Sequence, residues 1–254
     1  MHFYVRDVYH CSRLFLAPRF DRQAENQKYF KSNLESRFSN VTIPAVHSTH
    51  SSPTVLTTTF LTGRPLSDLT PTELKSLIPL GVKVFLYQLL RMGRFHADPH
   101  HANLFLTSEG KLGIIDFGLV ASITPPEMSA MKDAAKHLFL RDWRSLLLDA
   151  KALGFLEDDV PTADLEPIIE QVLTRAVLKP GAIIDRRKSL GEVREQLEVV
   201  FFEYPFTVPP FFALVTRGIG VLEGIAAEGD EEFNVFEEAG EEVGAWEEEV
   251  PNKF

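Results

Sequence analysis

Between Phe95 and Val120 the chain reads FHADPHHANLFLTSEGKLGIIDFGLV. Two short apolar runs, Leu104-Phe105-Leu106 and Leu112 to Ile115, flank the turn Thr107-Ser108-Glu109-Gly110-Lys111. That pattern predicts a β-hairpin. Asp98 and Asn103 precede the hairpin in H-x-D-x-x-x-x-N, and Asp116 opens D-F-G eighteen residues after Asp98. A hairpin at this place folds the chain back and brings Asp116 near Asn103. Two carboxylates and one amide are thereby committed to one neighbourhood.

Those residue types suit a particular chemistry. A nucleoside triphosphate carries several negative charges and travels with magnesium. Magnesium takes oxygen ligands, often one or two carboxylates plus phosphate oxygens. In a kinase-type site the D-F-G aspartate and the catalytic-loop asparagine hold the metal, and the first aspartate orients the nucleophile or takes its proton. Asp116 and Asn103 are therefore the candidate metal ligands, and Asp98 the candidate catalytic residue. D-F-G alone is a common turn and H-A-D a common loop; their order, with a hairpin between, makes them a constellation. His96, Phe117 and Gly118 are expected to be structural at the site, with His96 bracing the D-F-G backbone. His100 and His101 could be drawn with Asp98 as a zinc cluster, but the spacing is wrong and no cysteine is near.

Composition narrows the remaining classes. The chain has 254 residues, enough for one large domain or two small ones. From Glu228 onward there are eleven acidic residues against Lys253, so this end carries the whole net charge of −10. The preceding body is neutral and offers no electrostatic basis for binding nucleic acid. The single cysteine, Cys11, excludes an intramolecular disulfide framework. Arg6, Arg13 and Arg19 against Asp7 give the start a weak transit-peptide character.

Along the chain, Asp21 to Phe38 has helical periodicity. Thr54 to Phe60 is β-branched and reads as a buried strand, and Leu61 to Leu66 as a linker. Either the strand faces an adenine pocket, with Thr58 and Phe60 as cofactor-binding candidates, or it is simply a β-branched strand; the residues alone leave both open. Thr70 or Thr72 caps a nearly all-apolar helix running to about Met92, with Pro71 in its first turn. After D-F-G come helices from Pro125 to about Leu140, from Asp142 to near Gly154, from Asp164 to about Leu178, and from a Ser189–Glu192 capping box. Val199 to Ala226 is apolar but interrupted by Glu203, three prolines and Arg217, so it reads as two core helices rather than a membrane span. Arg186-Arg187-Lys188 reads as a solvated loop. The tail is expected to dock as far as Ala239 through its phenylalanines and to be disordered from Gly240 to Phe254.

With these residues placed, the chain resembles the UbiB or aarF-domain family of atypical kinases. The resemblance rests on AENQKYF at 24–30, IPAVHSTHSSPTVLTTTFLTGRPL at 43–66, FHADPHHANL at 95–104, LGIIDFGLV at 112–120 and GIGVLEGIAAEGDEEFNVFEEA at 218–239. It implies a helix-dominated α+β, protein-kinase-like fold. The expected organisation is a divergent segment at 1–20, a remnant of the small lobe and hinge at 21–66, a mainly helical large lobe at 67–239, and an acidic tail at 240–254. It further implies ATP and Mg2+ as cofactors, and ATPase or phosphotransferase activity supporting ubiquinone or prenyl-lipid metabolism. The implied partners are the nucleotide, quinone-pathway or prenyl-lipid proteins and a membrane surface, in a mitochondrion or plastid.

The departures from the family pattern are as informative. The family carries a Lys-x-Gly-Gln helix, an alanine- and glycine-rich nucleotide loop and a strand lysine, and none of the three is present here. Residues 1–20 contain no glycine and no lysine, so no phosphate-cradling loop can form there. Ala17, Arg19 and Gln23 stand at the family's three acidic positions, and Glu25 lies about 200° around the helix from Gln23 at ~100° per residue. The expectation is therefore an incomplete small lobe. Two functional readings follow: an ATP- and magnesium-dependent enzyme family, or a pseudokinase or scaffold fragment keeping the large lobe.

Overall fold

The computed structural model describes residues 3–5, 20–176, 206–230, 233, 235 and 238–240. Cys11, the Ala17 and Arg19 positions, the 186–188 cluster, the Ser189 helix and the tail beyond Gly240 lie outside the described residues.

The 104–114 hairpin organises the main sheet. Strand β6 (Leu104–Thr107) pairs antiparallel with β7 (Leu112–Ile114), with Leu104 opposite Ile114 and Leu106 opposite Leu112. The left-handed Gly110, φ 77°, makes the turn. Strand β2 (Val41–Thr42) adds in parallel to β7, and β4 (Gly63–Pro65) adds antiparallel to β6, giving the order β2-β7-β6-β4. The expected linker at 61–66 is thus partly a strand. Gly-Arg-Pro carries no strand signal, and proline is confined to edge strands. Gly63 is required because a Cβ there would stand 2.3 Å from the Leu106 carbonyl oxygen.

The expected strand at 54–60 is shorter and more exposed than its composition suggests. Only Thr57–Thr59 (β3) is extended, pairing antiparallel with β1 (Phe3–Val5). Thr57 is buried and its hydroxyl donates to the His50 carbonyl at 2.6 Å, whereas Thr59 and Phe60 are exposed. A β-branched composition specifies extension, not burial.

Helix α1 (Phe20–Arg37) presents Ala24, Gln27, Phe30 and Leu34 inward at helical spacing. Helix α2 (Pro71–Tyr87) starts on a reciprocal capping box, in which the Glu73 amide donates to the Thr70 hydroxyl and the Thr70 amide to the Glu73 carboxylate. It continues through a π-helical turn, Gln88–Met92, and stops at left-handed Gly93. Strands β5 (Arg94–His96) and β8 (Val120–Ser122) pair antiparallel and bracket the H-A-D and D-F-G segments. Helices α3 (Pro125–Leu140), α4 (Trp143–Ala152) and α5 (Glu166–Ala176) follow, then α6 (Pro210–Gly229).

The main core joins Phe30, Leu34, Val41 and Ile43 to Leu77, Val82, Phe85, Phe95, Leu112, Phe117, Leu222 and Ile225, so it runs continuously across residue 66. Val235 is buried in it, and Phe233 and Ala239 pack against it. By length and composition α6 could cross a membrane. Its Val215, Leu222, Ile225 and Ala226 are buried, and it packs along α2.

Candidate functional site

The loop after β5 is held by its own backbone. The His100 amide donates to the Asp98 carbonyl at 2.9 Å and the Asn103 amide to the His100 carbonyl at 2.8 Å. Helix α2 reaches in from below, where the buried Gln88 side chain accepts the His96 amide at 2.9 Å. His96 itself is buried; its Nδ1 accepts the Asp98 amide at 3.0 Å, which puts its proton on Nε2. Nε2 has no partner within hydrogen-bonding geometry. Burial pushes the imidazole below its ordinary pKa, while the Asp116 backbone and the Asp116 and Asp98 carboxylates act against that shift. His96 also packs edge-on to Phe117. Its burial and its contacts with Phe117 and the Asp98 amide place it beneath the loop.

The hairpin brings the two metal-ligand candidates together. The Ile115 amide donates to the Asn103 carbonyl at 3.1 Å. The Asn103 Nδ2 donates to the Asp98 carbonyl at 3.2 Å, which directs its Oδ1 the other way. The Gly118 amide donates to Asp116 Oδ1 at 2.8 Å, and Phe117 is fully buried against Phe30, ring centroids 4.9 Å apart. Asn103 and Asp116 line one cleft of about 470 Å³ together with Gln23, Thr58, Phe60 and Ile115. That volume lies within the range of small-molecule sites. Thr58, Phe60, Asn103 and Asp116, singled out in the sequence, all line this cleft, and Gln23 lines it with them.

Asp98 is placed differently. It does not line this cleft. Its Oδ1 pairs with the Arg217 guanidinium of α6 at 2.6 Å, and its Oδ2 lies 3.7 Å from His100 Nε2. Arg217 is more than half exposed, so the pair adds little stability and mainly orients the two groups. Beside it His101 pairs with Glu228 of the same helix at 3.3 Å.

Sequence reasoning passed over two residues of this site. Arg217 counted only as an interruption of an apolar run. Its signal was its isolation, as the one charge between Tyr204 and Glu223. Gln23 counted only as a missing acid, yet its Nε2 donates to Asp116 Oδ1 at 2.8 Å. Glu25, two positions on, is exposed, as the helical rotation requires.

The donor set fits magnesium better than zinc. Asp116 and Asn103 offer hard oxygen donors in one cleft. Among the described residues no group of three or more His, Cys, Asp or Glu side chains could hold a metal. A two-ligand site is completed by phosphate oxygens and water, which is how magnesium is commonly held.

Comparison with known proteins agrees with the motif reading. Residues 10–149 match the ABC1 atypical kinase-like domain. The Synechocystis protein sll0005 is 31% identical over 234 residues, 90% of this chain and 34% of its own length. Arabidopsis thaliana ACTIVITY OF BC1 COMPLEX KINASE 3, chloroplastic, is 31% identical over 90% of this chain and 32% of its own. The Arabidopsis aarF domain-containing protein kinase At1g71810, chloroplastic, is 30% identical over 85% of this chain and 30% of its own. This chain therefore spans about a third of the length of these relatives. A solved structure of Rv3197 from Mycobacterium tuberculosis, described as a complex with erythromycin, superposes with a TM-score of 0.54 at 20% identity, covering 86% of this chain and 59% of that one. That likeness bears on the fold alone. Motifs, fold and sequence matches converge: the chain belongs to the ABC1 atypical kinase-like family, the UbiB or aarF-domain group.

Proposed function

We propose that this chain carries the metal-and-nucleotide cleft of an atypical kinase, binding ATP with magnesium, and that the protein acts as an ATPase or phosphotransferase. The observation that carries the reading is the convergence of Asn103 and Asp116 on one cleft of about 470 Å³, which Thr58 and Phe60 also line. Asp116 and Asn103 would hold the metal, which when bound supplies charge neutralisation for the triphosphate. Phe60, 49% exposed, and Thr58 would contact the adenine. His96, Phe117 and Gly118 hold the loop and the D-F-G turn in place. Asp98 would orient the acceptor's hydroxyl and take its proton, from a position where its Oδ1 pairs with Arg217. The plant relatives are described as chloroplastic, which supports a plastid setting; the role in prenyl-lipid or quinone metabolism near a membrane surface rests on the family resemblance alone.

A second reading, a pseudokinase or scaffold, is favoured by two observations. No lysine or arginine is among the described residues that line the cleft. The Asp98 carboxylate is also already engaged by Arg217.

Calorimetric titration with magnesium-ATP tests the site. Asp116→Asn should weaken binding by about ten-fold or more, the scale of one lost charge-assisted contact. Asp98→Asn should leave binding within about three-fold while abolishing turnover, where the parent protein turns ATP over. Undiminished binding in both variants would refute the site; a parent that binds but never hydrolyses favours the scaffold reading.

A further inference from the structure

The contact between α1 and the D-F-G turn is built from three residues on one helical face. Gln23 donates to Asp116 Oδ1 at 2.8 Å, Asn26 donates to the Phe117 carbonyl at 3.1 Å, and Phe30 stacks on Phe117. Spacings of three and four along a helix put these side chains in line. Asn26 is itself held by Arg94, whose guanidinium donates to its Oδ1 at 3.0 Å and lies over the Tyr29 ring. The Gly118 amide donates to the same Asp116 oxygen as Gln23. A Cβ on Gly118 would stand 3.1 Å from that oxygen and 3.7 Å from Gln23 Oε1, so a larger residue would crowd this convergence.

We propose that Gln23 is a positioning residue of the site: its neutral amide orients Asp116 toward a magnesium-bound nucleoside triphosphate in a cleft that no described lysine or arginine lines. The proposal rests on the nucleotide reading above. The choice of glutamine follows from charge. A glutamate at this position would set a second carboxylate at hydrogen-bond distance from Asp116, and two like charges so close raise the energy of both charged forms. Glutamine has the same length, carries no charge and donates. An N–H bonded to a carboxylate is one of the stronger hydrogen bonds, so it can fix a carboxylate's rotamer without a formal positive charge. Gln23 touches no reacting atom; it acts through Asp116.

The test is calorimetry of ATP with magnesium, and of ATP with EDTA, on the full chain. Gln23→Met keeps length and helix propensity but removes the donor. Expected is a roughly ten-fold loss for magnesium-ATP, with ATP in EDTA within about two-fold of the parent protein, because Asp116 acts through the metal. The double variant Gln23→Met, Asp116→Asn should bind no more weakly than Asp116→Asn alone, since both changes remove one linkage. Gln23→Lys, which retains a donor, should bind magnesium-ATP within about three-fold of the parent, or more tightly, on the same scale of one contact. Equal losses with and without magnesium would make Gln23 a packing residue only, and additive losses in the double variant would break the proposed linkage. A Gln23→Met within two-fold of the parent for magnesium-ATP would overturn the inference while leaving the Asp116 site standing. A parent protein that binds no magnesium-ATP, or whose binding ignores Asp116→Asn, overturns the nucleotide reading itself and this inference with it.

Discussion

Arg217 shows how little a residue's type says about its use. In an apolar helix its cost in helix propensity is small, and its three-methylene stem lets the charge leave the buried face. The partner it finds, Asp98, is 119 positions away, and no local rule links them. Glu73 shows the opposite case, a role readable from three neighbouring residues. Its carboxyl is held down at about 2, first by the Thr70 backbone amide and then by the Arg64 and Thr70 side chains. A folded-state pKa below the unfolded value adds stability that is present above the unfolded pKa and lost as pH falls through the folded one. Melting curves should therefore show the parent protein losing its advantage over Glu73→Gln as pH drops from about 4.5 to about 2. A difference that stays constant across that window would mean the capping box does not titrate with folding. Thr70→Ala removes the other half of the box and should cost ~1 kcal/mol.

At the scale of elements, α6 reaches the site because of where it can approach α2. A Cβ on Gly218 would stand 2.7 Å from the buried Phe85 ring. The helices pack closely there, and the neighbouring Arg217 is carried to the loop at Asp98. Gly218→Ala should then destabilise by ~1–3 kcal/mol through overpacking. Gly220→Ala, on the same helix with nothing within 4 Å of its added Cβ, should stabilise by ~0.5–1 kcal/mol through backbone entropy alone. Urea denaturation of the two variants reads both signs. Two stabilising substitutions would show that the α2–α6 contact is looser than described. The same logic explains β4: Gly63 was readable as a break in the chain, but its strand character exists only because Leu106 lies against it.

Across the described residues of the molecule, apolar burial is unevenly divided. One large core joins α1, the hairpin, α2, the D-F-G turn and α6. Helix α3 also packs Met128 and Met131 against that core, whereas among the described residues α4 and α5 rest on two small clusters, Leu147, Leu156, Val160 and Leu165 in one and Ala130, Leu153 and Phe155 in the other. Regions with few buried apolar contacts open locally at free energies below the global one. Native-state hydrogen exchange should therefore find amides of α4 and α5 opening more readily than those of α1 and α2. Uniform protection across all four helices would show a single cooperative unit. Ligand binding should deepen protection in α1 and the hairpin first, since Gln23, Asn103 and Asp116 line the same cleft.

What the sequence determined by itself was local. Caps, hydrophobic period and turn residues act within a few positions, so α1, the hairpin, α3 and α4 are recognisable in it within one or two residues, and α2 together with its π-helical continuation to Met92. The motif spacing also carried Asn103 and Asp116 to one place, because a hairpin converts short separation into contact. Tertiary structure decided the rest. Burial of Thr57 but not Phe60, the pairing of 63–65 and the two side chains that hold the aspartates all depend on surfaces brought together from distant segments. Gln23 meets Asp116 across 93 positions, and Arg217 meets Asp98 across 119. Such contacts depend on helix rotation and closest approach, which packing against Phe117 and Phe85 sets and residue order alone does not record.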